Sequence, residues 1–250
     1  IKPCPFCGTI LTTALQPKTI TQTQSKPKIV FQKASKIPKL TLDIPQIDSI
    51  LQFITIGQKI SISGIHTQKI IERICVRAQL PHRYGGLDTD VLLIDGANSS
   101  DLYQCVDFAQ QYGLDANKIL NGIISSRAFT IYQLADTIIK ELSHTIKLYG
   151  VKIVVVTNLL HYFTDDAYLD TNEAKSILKE IVKTLNNIKD CLVIVSFGVS
   201  TNYDYLFLEL FSRTIRIDNN NDVLCVHIDD DNKKTSLYLK HDELEIIPQH

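Results

Sequence analysis

Apolar positions fall into two kinds of pattern along the chain. Short continuous runs, Val91-Leu92-Leu93-Ile94, Val151 to Val156 and Leu192 to Val195, are flanked by turn residues and read as strands buried on both faces. Between them lie stretches of helical period: Ile70, Ile71, Ile74 and Ala78; Leu102, Val106 and Ala109; Leu134, Ile138, Leu142 and Ile146; and Ile177, Ile181 and Leu185. Strand and helix alternate, which predicts right-handed β-α-β crossovers and a largely parallel sheet covered by helices. After Phe211 the runs become short and alternating: Thr214 to Ile217, Val223 to Ile228 and Ser236 to Leu239. Asn219-Asn220-Asn221 and Asp229-Asp230-Asp231-Asn232 break them, so an antiparallel meander is expected to close one sheet edge.

From Pro17 to Lys39 the composition is Lys, Thr, Gln, Ser and Pro without periodic apolar positions, as in an extended linker. The expected organisation is therefore 1–16, a small cysteine-bearing segment; 17–39, a basic flexible linker; and 40–250, the α/β body. Charge sharpens this division. The first 42 residues hold seven lysines and no acid, so they carry +7 while the remainder carries −8. Lys26, Lys28, Lys33, Lys36 and Lys39 are the candidate contacts to DNA phosphates on this arm. No apolar stretch reaches the roughly 18 residues of a bilayer span, and no charged, apolar, small-residue leader opens the sequence. The expectation is a soluble, intracellular protein with no membrane partner.

Cys4-Pro5-Phe6-Cys7-Gly8 has the C-x₂-C spacing that puts two thiolates on one Zn²⁺. A structural site needs four ligands, and no second pair follows. Either Cys4 and Cys7 share a zinc with ligands from elsewhere, or they form a surface dithiol without metal. Cys75, Cys105, Cys191 and Cys225 each sit singly in apolar runs and are expected in the core. The seven histidines show no close ligand spacing and read as surface or core residues. Asp165-Asp166 and Asp229 to Asp231 read as solvated turns.

Ala78-Gln79-Leu80-Pro81, Gly85-Gly86, Leu93-Ile94-Asp95, Tyr112-Gly113-Leu114, Ser126-Arg127-Ala128-Phe129 and Tyr132-Gln133-Leu134 occur in that order. The series resembles the ATPase core of RadA-type recombinases, relatives of RecA, whose cores carry "QLP…GG…IDTEG…YGL…ARAF…HQ" at similar spacing. The resemblance spans roughly residues 39 to 228. It implies a RecA-like core and a cytoplasmic protein, nucleoid-associated if archaeal.

The chemistry of that family needs particular residues. A phosphate-binding loop requires G-x-x-x-x-G-K-[ST], in which glycine amides cradle phosphates, the Lys neutralises them and the hydroxyl holds Mg²⁺. The matching stretch is Ser63-Gly64-Ile65-His66-Thr67-Gln68-Lys69-Ile70. Gly64, Thr67 and Lys69 remain as a degenerate loop about three residues short, with no hydroxyl after Lys69. The acid that activates water falls at Ala97, and the Mg²⁺-anchoring aspartate at Thr157. The expectation is a pseudo-ATPase that neither hydrolyses nor binds ATP. The stretch matching the first DNA loop, Thr164 to Asp170, is acidic and would repel phosphate; Phe197 to Ser212, matching the second, is short and apolar. Arg127 and Phe129 are expected to pack a sheet edge.

One further element comes from the resemblance. Phe31-Gln32-Lys33-Ala34-Ser35 matches the F-x-x-A by which these recombinases insert an aromatic and a methyl into a neighbouring core. Phe31 and Ala34 are therefore candidate anchors to a RadA-type recombinase or another paralogue, set against a chance match in a linker. The resemblance implies an accessory or mediator role in homologous recombination and DNA repair. The alternatives are a nucleotide-regulated switch with a remodelled loop, and a DNA tether acting through the basic arm.

Overall fold

The computed structural model describes residues 37–165, 169–198, 201–207, 209–221, 223–230 and 233–244. These fall in one compact unit, Ile37–His250. Cys4, Cys7, Lys26, Lys28, Phe31, Lys33, Ala34 and Lys36 lie outside the described residues.

The chain enters through β1 (Lys39–Leu40), which pairs antiparallel with β2 (Ile54–Thr55) around α1 (Pro45–Leu51). Lys39, the last residue of the expected linker, is thus part of a strand, paired with Thr55, and its ammonium lies 4.1 Å from the centre of the Phe53 ring. The alternating pattern then unfolds as expected. In chain order come β3 (Lys59–Gly64), α2 (Thr67–Arg77), β4 (Val91–Asp95), α3 (Leu102–Gln111), α4 (Ala116–Asn121) and β5 (Ile123–Arg127). They are followed by α5 (Ile131–Asp136), a π-helical turn at Thr137–Glu141, α6 (Leu142–Tyr149), β6 (Ile153–Thr157), α7 (His161–Asp165), α8 (Thr171–Asn187) and β7 (Leu192–Phe197). The meander is β8 (Arg213–Asn220), β9 (Val223–Asp230) and β10 (Lys233–Lys240).

All but the first two strands form one eight-stranded sheet in the order β10-β9-β8-β3-β7-β6-β4-β5. Neighbours from β8 to β5 run parallel, while β8-β9 and β9-β10 are antiparallel. The expected α/β class, a RecA-like core with a largely parallel central sheet covered by helices and a C-terminal antiparallel meander, is the fold observed.

Alternation along each strand builds two cores. Val91, Leu93, Ile153, Val155, Ile60, Ile62, Ile215, Ile217, Val226 and Ile228 face α1 to α4. Leu92, Ile94, Val154, Val156, Val193 and Val195 face α5, α6 and α8. The first core runs beneath the full sheet, whereas among the described residues the second draws on β4, β6 and β7 but not on β3 or the meander. That is why the central strands read as continuous apolar runs and the meander as alternation.

The meander strands are longer than their apolar runs. Asn219 and Asn220 lie in the β8 ladder, and Asp229 and Asp230 in β9, instead of in the turns their composition suggests. Ion pairs explain the two aspartates: Arg213 Nε lies 2.8 Å from Asp230 Oδ1, and Lys234 Nζ lies 3.2 Å from Asp229 Oδ2. Asp231 and Asp166 are outside the described residues.

Candidate functional site at the carboxyl ends of the parallel strands

In open α/β sheets ligands sit beyond the carboxyl ends of the parallel strands, where helix N-termini point. Here β3, β4, β6 and β7 deliver Gly64, Asp95, Thr157 and Ser196 to that edge. The connection from β3 to α2 consists of Ile65 and His66 alone. Gly64 has φ of 93°, and a Cβ there would stand 2.0 Å from the Ile217 carbonyl oxygen, so the backbone presses directly on β8. The Ile65 N–H donates to that same carbonyl at 2.9 Å. The Thr67 hydroxyl donates back to the Gly64 carbonyl at 2.7 Å, and His66 takes a left-handed conformation with its ring edge-on to His241. Lys69 lies half-buried in the first turn of α2, and Ile70 after it is buried in the first core.

The next strand end is equally closed. Asp95 is fully buried, and its carboxylate accepts the N–H groups of Ala97 at 3.3 Å, Ser99 at 3.1 Å and Ser100 at 2.8 Å, with the Thr157 hydroxyl at 3.2 Å. Burial pushes the Asp95 carboxyl up, but these backbone donors outweigh it and hold it below the usual carboxylate range. Arg127 Nε lies 4.0 Å away at the rim, with its guanidinium hydrogen-bonded to Asn98 and the Ser100 carbonyl. Behind this loop, Glu72 accepts from Gln68 Nε2 at 2.9 Å and from the Asp101 N–H at 3.0 Å. Burial raises the Glu72 carboxyl above its ordinary value, partly offset by those two donors.

Thr157, at the position where the family's metal-binding aspartate would fall, is fully buried with its hydroxyl turned to Asp95. Asn158, in a left-handed conformation, donates its N–H to Ser196 Oγ at 2.9 Å and its side-chain amide to Ser99 Oγ at 2.9 Å. The structure therefore brings Gly64, Asp95, Ala97 and Thr157 to one edge, as the sequence motifs imply, but bonds Ala97 and Thr157 to Asp95 and seats Gly64 against Ile217. Sequence reasoning missed Glu72, Gln68, Ser99, Ser100 and Asn158. The Asp95-Gly96-Ala97-Asn98-Ser99-Ser100 run was the available signal, since short polar residues after a buried strand make backbone-capping turns.

The remaining candidates separate. Phe197, Phe207 and Phe211 form an aromatic cluster, with ring centroids 5.3 and 5.8 Å from Phe197, and they pack on the second core. Phe129 is 58% exposed, contrary to the expectation that it packs the sheet edge; Arg127 holds the loop after β4. Cys75, Cys105, Cys191 and Cys225 are all buried, as expected. Among the described residues no three His, Cys, Asp or Glu side chains form a metal-binding group, and no helix is long and apolar enough to cross a membrane.

Comparison with known proteins places this geometry. The Rad51 family model matches residues 46–203, from α1 through the segment after β7. The DNA repair and recombination protein RadA of Cenarchaeum symbiosum (strain A) is 25% identical over 203 residues, covering 71% of this chain and 47% of that protein. The RadA protein of Metallosphaera sedula is 26% identical over 190 residues, covering 71% of this chain and 58% of its own length. The chain thus spans about half the length of these curated relatives. With more than half of its residues matched by the family model on a RecA-like sheet, the chain belongs to the Rad51 family, within the RecA/RadA-type recombinase superfamily.

Proposed function

We propose that this chain is a non-catalytic member of its family, an accessory or mediator protein of homologous recombination and DNA repair that binds a RadA-type recombinase or another paralogue. The observation that carries the reading is the two-residue turn between β3 and α2, pinned to Ile217, in a stretch that lacks the second glycine and the Lys-Ser/Thr pair a phosphate loop needs. Magnesium-nucleotide does not fit the residues present. Thr157 is a neutral side chain bonded to Asp95, Ala97 offers no base, and the Asp95 carboxylate is committed to its own loop. The role in recombination and repair rests on family membership and on the relatives' descriptions. Attachment to a recombinase rests on Phe31 and Ala34 in the basic arm. Cys4 and Cys7 are two ligands of a zinc site completed from elsewhere, or a dithiol.

The test is direct. Purified protein with Mg-ATP should show no turnover and no rise in melting temperature, because a ligand that binds only the native state must stabilise it. Turnover lost on mutating Lys69, or a nucleotide-dependent shift, would overturn the reading in favour of a nucleotide-regulated switch.

A further inference from the structure

The amino ends of three neighbouring strands carry lysines. Lys152 precedes β6, Lys189 lies in the turn between α8 and β7, and Lys59 opens β3; β6, β7 and β3 are adjacent in the sheet, where strands stand about 4.8 Å apart. The backbone ties these starts together. The Gly57 N–H donates to the Cys191 carbonyl at 3.1 Å, the Leu192 N–H donates to the Lys152 carbonyl at 2.8 Å, and a Cβ at Gly57 would stand 3.2 Å from the Lys189 carbonyl oxygen. Lys152 and Lys189 are exposed. Lys59 is not: it alternates with Ile60 and Ile62 of the first core, so its side chain leaves the sheet on the opposite face, in register with Val193, and the residue is only 6% exposed.

Among the described residues none of the three ammonium groups has an ion pair or a hydrogen bond. A lysine this buried ordinarily has a carboxylate beside it. The charge that acts on Lys59 is instead a second cation, Lys189; burial pushes the Lys59 ammonium below its ordinary value and Lys189 adds to the shift. The stem is covered while the nitrogen keeps contact with solvent. Asp190 acts on Cys191, and Arg213 on the adjoining β8 is committed to Asp230 and to the carbonyls of Leu51 and Phe53. The carbonyl end of α8 accounts for a cation at Lys189, but not for one buried and unpaired at Lys59.

We propose that Lys59 and Lys189, with Lys152 beside them, bind a phosphate-type dianion, either free phosphate or the phosphoryl group of a small phosphomonoester. Ammonium groups act as point charges and suit a compact, multiply charged tetrahedral oxyanion, whereas a planar carboxylate is better matched by the fork of an arginine. The ligand supplies the countercharge that the fold leaves out at Lys59. This inference is independent of the proposed function, and the site lies at the opposite end of the strands from Gly64, Asp95 and Thr157.

The test titrates inorganic phosphate into the full chain without magnesium, at an ionic strength held constant with sodium chloride, and reads the phosphorus-31 line width. Native protein should give saturable broadening. Lys59→Met keeps the stem and removes the charge, and should weaken the apparent affinity at least about tenfold. Lys189→Gln should weaken it severalfold, while the lysines of the arm contribute equally to all three proteins. In phosphate-free buffer Lys59→Met should melt at or above the native temperature, since it removes an unpaired buried charge; Lys189→Gln, an exposed change, carries the comparison if Lys59→Met does not fold. Glycerol phosphate separates the two sources: competition at equal strength assigns the site to a phosphomonoester, and failure to compete assigns it to the free ion. The proposal is overturned if native protein shows no saturable broadening, if either folded variant binds phosphate as native protein does, or if acetate displaces phosphate at equal concentration.

Discussion

Asp95 offers the clearest test of how the strand end is held. A carboxylate kept free for a ligand could be removed with stability unchanged or improved. Here both oxygens are occupied by the loop that follows it. Asp95→Asn keeps the size but replaces one oxygen with an amide donor, which must then face the Ser100 N–H at 2.8 Å or the N–H groups of Ser99 and Ala97. A hydrogen bond to a charged group contributes about 1.5–3 kcal/mol, and one buried donor left unpaired costs a similar amount. With one bond lost and the others weakened, the expected destabilisation is about 2–3 kcal/mol. For a chain of this size that lowers the melting temperature by roughly 4–12 °C.

Urea unfolding at pH 7, followed by circular dichroism, measures the difference. Its pH dependence supplies a second check. The folded carboxyl is held below its ordinary value, so its stabilising contribution is present above the ordinary Asp range of about 3.9 and fades as pH falls through the lower folded value. Wild type and Asp95→Asn should therefore converge in stability over that acid window. A variant within 0.5 kcal/mol (roughly the scatter of neutral surface changes) at pH 7 refutes the structural assignment.

Three further outcomes follow from the same geometry and from the arm. Gly64→Ala should destabilise by on the order of 3 kcal/mol or more, because a Cβ would meet the Ile217 carbonyl under a left-handed φ; an unchanged unfolding midpoint would mean the turn is not pinned. Phe31→Ala should weaken co-purification with the host's RadA-type recombinase by well over tenfold, and Ala34→Glu similarly by burying an unpaired charge, both without change in melting temperature. Equal recovery of both variants would make the motif a coincidence. Any DNA binding should fall steeply with salt and vanish when residues 1–36 are removed; a truncated body that still bound single strands would contradict the assignment to the lysine arm.

The sequence determined the strand and helix alternation, because a sheet covered on both faces demands continuous apolar strands and an open face demands alternation. Val91 to Ile94 and Val223 to Ile228 show the two cases directly, and the identity of residues 64, 97 and 157 was equally legible. Strand length was not: Asp229 and Asp230 look like turn residues until Lys234 and Arg213 are placed beside them, and no local pattern encodes a partner across a ladder. The same holds for the closed site. A missing acid can be read at Ala97, but that Asp95 is consumed by Ser99 and Ser100, that Glu72 sits behind it, and that Gly64 touches Ile217 depends on strand register and on how many residues connect β3 to α2. Hydrogen bonds to a buried carboxylate form between groups brought together by folding, so only the tertiary structure decided what Asp95 does.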